Sequence, residues 1–201
     1  MKVVTIVCGY LLAAANPAHA QGSNPPVVDQ MARAIFKELI EINTTDSVGN
    51  VTTAAEAMQK RLREAGFADN ELILAGPHQK KKNLVVRLRG TGKRKPVLFI
   101  GHLDVVEARR EDWTIDPFQF VEKDGFFYGR GTNDMKAGDA MMVTNFIRLK
   151  KEGYLPDRDL ILALTADEEG GASNGVVHAS RSGFESIGKS VVRGVWLILL
   201  S

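Results

Sequence analysis

Apolar residues recur at three- and four-residue intervals over residues 27–42, where Val28, Met31, Ala32, Ile35, Leu39 and Ile42 fall on one side of a helical repeat and predict an amphipathic helix. Asn43-Thr44-Thr45-Asp46 breaks it. A second helix is predicted over residues 53–65, capped by Thr52 or Thr53 and stopped by Gly66, with Ala55, Met58, Leu62 and Ala65 on its face. Three apolar runs follow at residues 71–75, 83–88 and 96–100. The last of these, Val97-Leu98-Phe99-Ile100, is continuous, as suits a strand covered on both faces, and Val85 and Val86 suit its neighbour. Residues 118–121 and 126–128 read as a hairpin around Asp124-Gly125. A helix over 137–151, stopped by Gly153, and a buried strand over 159–165 complete the pattern. Helices alternating with buried strands predict an α/β fold: an open, mostly parallel sheet with helices on both faces.

Composition fits that picture. The chain has 201 residues, 44% of them hydrophobic and 25% charged, enough for one domain with a core and unlike disordered, collagen-like or coiled-coil chains. Its formal net charge of +2 draws on Lys80-Lys81-Lys82 and Lys93-Arg94-Lys95, which read as solvated loop charges. No aromatic interleaving accompanies them, so no nucleic-acid partner is expected.

The first twenty residues stand apart. Lys2, an apolar run over 3–15 and Ala18-His19-Ala20 before Gln21 make the charged, apolar and small-residue regions of a signal peptide, residues 1–20, followed by a linker over 21–26. The run is shorter than the ~20 apolar residues that span a bilayer, so no membrane span is expected and the mature chain is expected to be secreted or periplasmic. Cys8, the single cysteine, lies in this leader, which leaves no thiol for disulfides, cysteine zinc sites or nucleophiles.

Candidate chemistry gathers after the predicted strands, where open α/β sheets form their ligand crevices. One strand runs into Gly101-His102-Leu103-Asp104 and another into Ala166-Asp167-Glu168-Glu169, while Gly129-Arg130-Gly131-Thr132-Asn133-Asp134-Met135-Lys136 opens a helix between them. Charges placed directly after buried strands need compensation, and a divalent metal supplies it. His102 and Asp104, two apart on an extended backbone, share a side, which suits a ligand and a carboxylate that fixes its tautomer. It suits a surface His-Asp pair equally. Glu168 and Glu169 can take different jobs, one as ligand and one as general base, although a bare pair also fits a solvated acidic turn. The glycine-rich stretch before Asp134 also fits an ordinary turn before a helix cap. It has neither the P-loop lysine spacing nor GxGxxG, which argues against a nucleotide-binding domain.

Taken together and in this order, Gly101 to Asp104, Gly129 to Lys136 and Ala166-Asp167-Glu168-Glu169-Gly170 closely resemble the M-twenty family of co-catalytic zinc peptidases. That family includes glutamate carboxypeptidases, aminoacylases and succinyl-diaminopimelate desuccinylases, and the resemblance extends from about Val27 to Gly175. It implies that His102 binds one zinc, Asp104 orients His102, Asp134 bridges two zincs, Glu168 is the general base and Glu169 binds the second zinc. A cis peptide at Asp134-Met135, a homodimer and a substrate that is a peptide C-terminus, dipeptide or N-acyl amino acid are implied with it. Family members are longer. They supply a further acidic ligand, a dimerisation domain and a final histidine ligand, and neither Glu185 nor His178 lies at the family's spacing. The expectation is therefore a partial, truncated catalytic domain over 27–178 that lacks the dimerisation domain, then a divergent tail over 179–201 of the kind a frame-shift leaves. The function that the resemblance implies is a zinc-dependent hydrolase of amide bonds acting through metal-activated water; the alternative is an inactive metal-binding fragment, since a chain so truncated would hold one zinc or none, with an apolar tail that promotes aggregation.

Overall fold

The computed structural model describes residues 26–170 and the backbone of 196–199. The expected signal peptide, nearly all of the linker and most of the expected tail lie outside the described residues. The first helix, α1 (Pro26–Glu41), buries Ile35 and Leu39 from the stripe that the sequence marks, together with Phe36 and Ile40, which that stripe left out. In α2 (Val51–Glu64) the buried face carries Ala54, Ala55, Met58 and Leu62. Its cap is Asn50 rather than Thr52 or Thr53: the Asn50 side chain accepts the Thr53 N–H at 3.3 Å. Thr52 is engaged elsewhere, its hydroxyl donating to the Gln79 carbonyl at 2.7 Å and accepting the Lys82 N–H at 3.0 Å.

The strands are β1 (Leu72–Ala75), β2 (Asn83–Leu88), β3 (Val97–His102), β4 (Val121–Lys123), β5 (Phe126–Tyr128), β6 (Leu160–Thr165) and β7 (Trp196–Leu199), with α3 (Lys136–Lys151) between β5 and β6. β4 and β5 form a separate hairpin. It starts at Val121 and not at 118, because the Phe118 N–H is taken by the Asp116 side chain at 2.8 Å. Phe120 stacks on Phe127 at 5.1 Å, and both meet Phe36 edge-on, which docks the hairpin on α1.

The main sheet has the order β1-β2-β6-β3-β7. The α/β class is as expected, but the sheet is mixed: β1–β2 and β2–β6 pair antiparallel, β3–β6 and β3–β7 parallel. A short connection allows the antiparallel β1–β2 pair, whereas α3 makes the crossover that parallel pairing requires. Strands buried on both faces read alike in either direction, so apolar content could not reveal this. Alternate strand residues divide cleanly, with Leu84, Val86, Leu88, Leu162 and Leu164 in one core with α1, α2 and α3, and Val85, Leu98, Ile161 and Ala163 on the opposite face. All three described helices thus cover one face. Leu39, Ile40, Met58, Leu84, Leu162 and Leu164 are fully excluded from water, each worth about 2 kcal/mol of burial. Within the region expected as a divergent tail, Trp196–Leu199 pairs along the outer edge of β3. Among the described residues, no helix is long and apolar enough to cross a membrane.

Candidate metal centre

Parallel pairing sets the site. His102 is in register with Thr165, so the chain leaves β3 and β6 side by side at one end of the sheet. This brings Gly101-His102-Leu103-Asp104 beside Ala166-Asp167-Glu168-Glu169. The loop before α3 adds Asp134. It depends on Gly131, whose φ of 87° favours glycine and whose missing side chain leaves room for Val105 and the Lys136 stem. The peptide between Asp134 and Met135 is cis.

One potential ligand atom from each of His102, Asp134 and Glu169 lies within 4.8 Å of the others. His102 is buried, with Nε2 at 3.0 Å from Asp134 Oδ1 and 3.8 Å from Glu168 Oε2. Its Nδ1 lies 3.1 Å from the Asp104 backbone carbonyl and 3.7 Å from the Asp104 carboxylate. A proton on Nδ1 donated to that carbonyl leaves Nε2 facing the other acids. The Asp104 carboxylate holds Glu169 rather than His102 directly: its Oδ2 accepts the Glu169 N–H at 2.9 Å, while Oδ1 is buried with no hydrogen-bond partner. All five sequence-selected residues therefore converge, with the Asp134 and Glu168 side chains toward solvent and His102 and Asp104 beneath them.

Crowded acids leave an electrostatic mark. Burial, and then the neighbouring Asp134 carboxylate, raise the Glu169 pKa; His102 opposes this while Glu168 and Asp104 add to it. One imidazole nitrogen among carboxylate oxygens suits a divalent ion such as zinc, and the unpartnered Asp104 oxygen and the repulsion among the acids are what a cation relieves.

Several supporting residues escape sequence reasoning. Lys136 is completely buried, and its Nζ donates to the Leu39 carbonyl at 2.7 Å and the Ile42 carbonyl at 2.9 Å, tying the Asp134 loop to the end of α1. Burial pulls its pKa down to about 7 against the opposing pull of Asp139 and Asp104. Asp139 is also fully buried, with neither carboxyl oxygen bonded, and burial pushes its pKa well up. Its position three residues along α3 from Lys136 was the available signal, since positions so spaced share a helix face. Lys81, expected as a solvated loop charge, instead pairs with buried Asp167 at 2.8 Å and with Asp46. Burial alone would lower its pKa, but the hydrogen bonds to Asp167 and Asp46 raise it.

Residues 98–192 match the model of peptidase family M20/M25/M40. A succinyl-diaminopimelate desuccinylase of Delftia acidovorans is 39% identical over 135 residues, 66% of this chain and 34% of that protein. The structure of human carnosine dipeptidase 1 superposes with a TM-score of 0.66 at 20% identity, covering 86% of this chain and 39% of that one. The YXEP protein of Bacillus subtilis, described as a dinuclear metal binding peptidase from the M20 family, gives a TM-score of 0.56 at 16% identity, covering 88% and 43%. The chain spans about a quarter to a third of the curated relatives it matches. The family model falls on the segments that supply His102, Asp134 and Glu169, and the solved structures share the fold, so over residues 98–192 this chain is similar to peptidase family M20/M25/M40.

Proposed function

We propose that this chain carries the metal-binding and proton-transfer centre of a zinc-dependent hydrolase of peptide or N-acyl amino acid amide bonds. The convergence of His102, Asp134 and Glu169, with Glu168 beside them, carries the proposal. His102 and Glu169 would each hold a metal ion and Asp134 would lie between. A bound zinc supplies Lewis acidity toward a scissile carbonyl and toward water. The Glu168 carboxylate, half exposed at the rim, takes a proton from the attacking water and returns it to the leaving amine nitrogen. Asp104 orients the ligand set from below, through its carbonyl on His102 and its carboxylate on the Glu169 N–H. Relatives named for succinyl-diaminopimelate and for dipeptides support the substrate class.

A second reading is a metal-binding fragment without turnover. Its support is the number of ligands: among the described residues the cluster has three, few for two ions. We further propose that the catalytic-domain segment is residues 27–178 and that residues 1–20 direct export to the periplasm or the exterior. Gln21 should then be the first residue found on N-terminal sequencing of the exported chain.

Zinc content of the purified chain, measured on the sample used to assay dipeptides and N-acyl amino acids, separates the readings. Bound zinc with turnover that disappears in Glu168→Gln supports the hydrolase. Bound zinc without turnover supports the fragment, and a chain whose zinc content is unaffected by His102→Ala removes the metal centre.

A further inference from the structure

The turn bearing Glu168 and Glu169 is held from behind by a short stretch that lies far from it in sequence. Asn83, at the start of β2, accepts the Ala166 N–H at 2.9 Å through its side-chain oxygen. Two residues earlier in the chain, Lys81 reaches the next residue of the turn, with Nζ 2.8 Å from Asp167 Oδ1. Asp167 is buried and adopts a φ of 58°, a left-handed backbone that aspartate tolerates better than most residues. That backbone reverses the chain just before the two glutamates, and Asp104 secures its far side through the Glu169 N–H.

The stretch that carries Lys81 is itself fixed. The Thr52 N–H donates to the Lys80 carbonyl at 3.1 Å, and the Thr52 hydroxyl binds the Gln79 carbonyl and the Lys82 N–H. Gly76 packs so closely that an added Cβ would lie 2.6 Å from the Lys81 carbonyl oxygen. Lys81 thus starts from an anchored backbone and ends on a buried carboxylate, its side chain only 18% exposed. Such an arrangement is a strut between the N-terminus of α2 and the acidic turn.

We propose that Lys81 is a positioning residue for the metal centre, acting through Asp167 to hold Glu169 in ligating position and Glu168 beside it. This rests on the proposed metal-binding reading of His102, Asp134 and Glu169. A bystander charge and a strut give effects of opposite sign. A lysine near an acidic cluster repels cations, so deleting a bystander would tighten metal binding. Deleting a strut would loosen it.

The test is titration of the full 201-residue chain with Co(II), read by calorimetry and by the visible spectrum of the bound ion. Lys81→Met is expected to weaken Co(II) binding by about 10- to 100-fold and to change the spectrum, with Lys81→Arg restoring most of the affinity. Asp46→Asn, which removes the exposed partner of Lys81, is expected to change affinity by less than about twofold. Should Lys81→Met fail to fold, Asp167→Asn takes its place and the same loss is expected. Affinity and spectrum equal to wild type in either variant, or tighter binding, overturns the strut. A wild-type chain whose Co(II) binding is insensitive to His102→Ala overturns the metal centre itself, and the strut with it.

Discussion

Asp104 and Glu169 are joined by a 2.9 Å hydrogen bond from the Glu169 N–H to the Asp104 carboxylate, across 65 positions of sequence. The bond closes the gap between the ends of two parallel strands, so the spacing of His102 and Glu169 depends on it. Asp104→Ala removes the acceptor and is expected to weaken Co(II) or zinc binding by about 10- to 100-fold, while Asp104→Asn, which keeps one oxygen acceptor, loses less. Calorimetric titration of both variants checks the order, and equal affinities for Ala and wild type would show that the strand ends hold their spacing without the bond.

Lys136→Met keeps the length of the buried stem and removes its two hydrogen bonds to the end of α1. Removing one partner of a buried polar pair leaves the other unsatisfied, so the variant is expected to lose about 2 kcal/mol of stability. Urea unfolding measures this. An unchanged midpoint would mean that the cost of burying the amine cancels the bonds it makes.

Acid sensitivity should arise partly from Glu71, which receives the Lys150 ammonium at 2.7 Å and the Ala68 N–H at 3.0 Å. Burial pushes its pKa up, but these bonds and the nearby Arg89 bring it below the ordinary 4.5. The unfolded chain then binds the proton more readily, so the stabilisation is present above 4.5 and is lost as the pH falls through the folded value. At neutral pH Glu71→Gln is expected to cost about 1 to 3 kcal/mol, and the deficit should shrink on acidification. Unfolding midpoints of both proteins across that range decide it, and a deficit independent of pH would assign the loss to packing.

Gly101 lies against α3 so closely that an alanine Cβ would sit 2.1 Å from Asp139 Oδ1 and 2.7 Å from the Met142 methyl. Gly101→Ala must push α3 away from β3 beside His102. A loss of about 1 to 3 kcal/mol is expected, together with weaker metal binding, because the displaced helix begins just after Asp134. Thermal unfolding and Co(II) titration of one preparation check both effects.

Much of this architecture is legible in the residues. The apolar stripe of α1 and the continuous runs of β3 and β6 follow from periodicity, and the chemical types of His102, Asp104, Asp134, Glu168 and Glu169 mark the ends of those strands and the loop before α3. Strand direction is not legible, because residues buried on both faces look the same in parallel and antiparallel pairs. Side-chain partnership across long separations is equally hidden. Lys81 sits between two other lysines, yet its side chain is largely covered by a partnership that becomes visible only once β6 lies beside β2. Lys136 reads as an ordinary helix-start residue until α1 is brought against α3. Thr52 likewise resembles a cap, but its hydroxyl is committed to residues 79 and 82.

The position of β6 has a kinetic consequence. It enters between β2 and β3, both of which precede it in the chain, pairing with β3 along its whole length and with β2 from Leu160 to Leu164. A growing chain that has reached α3 therefore holds two apolar strands with facing, unpaired edges, the kind of surface that invites association with other chains. These pairings carry high sequence separation and form slowly. Insertion of β6 fills the gap and brings Glu168 and Glu169 to His102 in one event, so the cluster of His102, Asp134 and Glu169 is complete only once this strand is in place, wherever the chain folds.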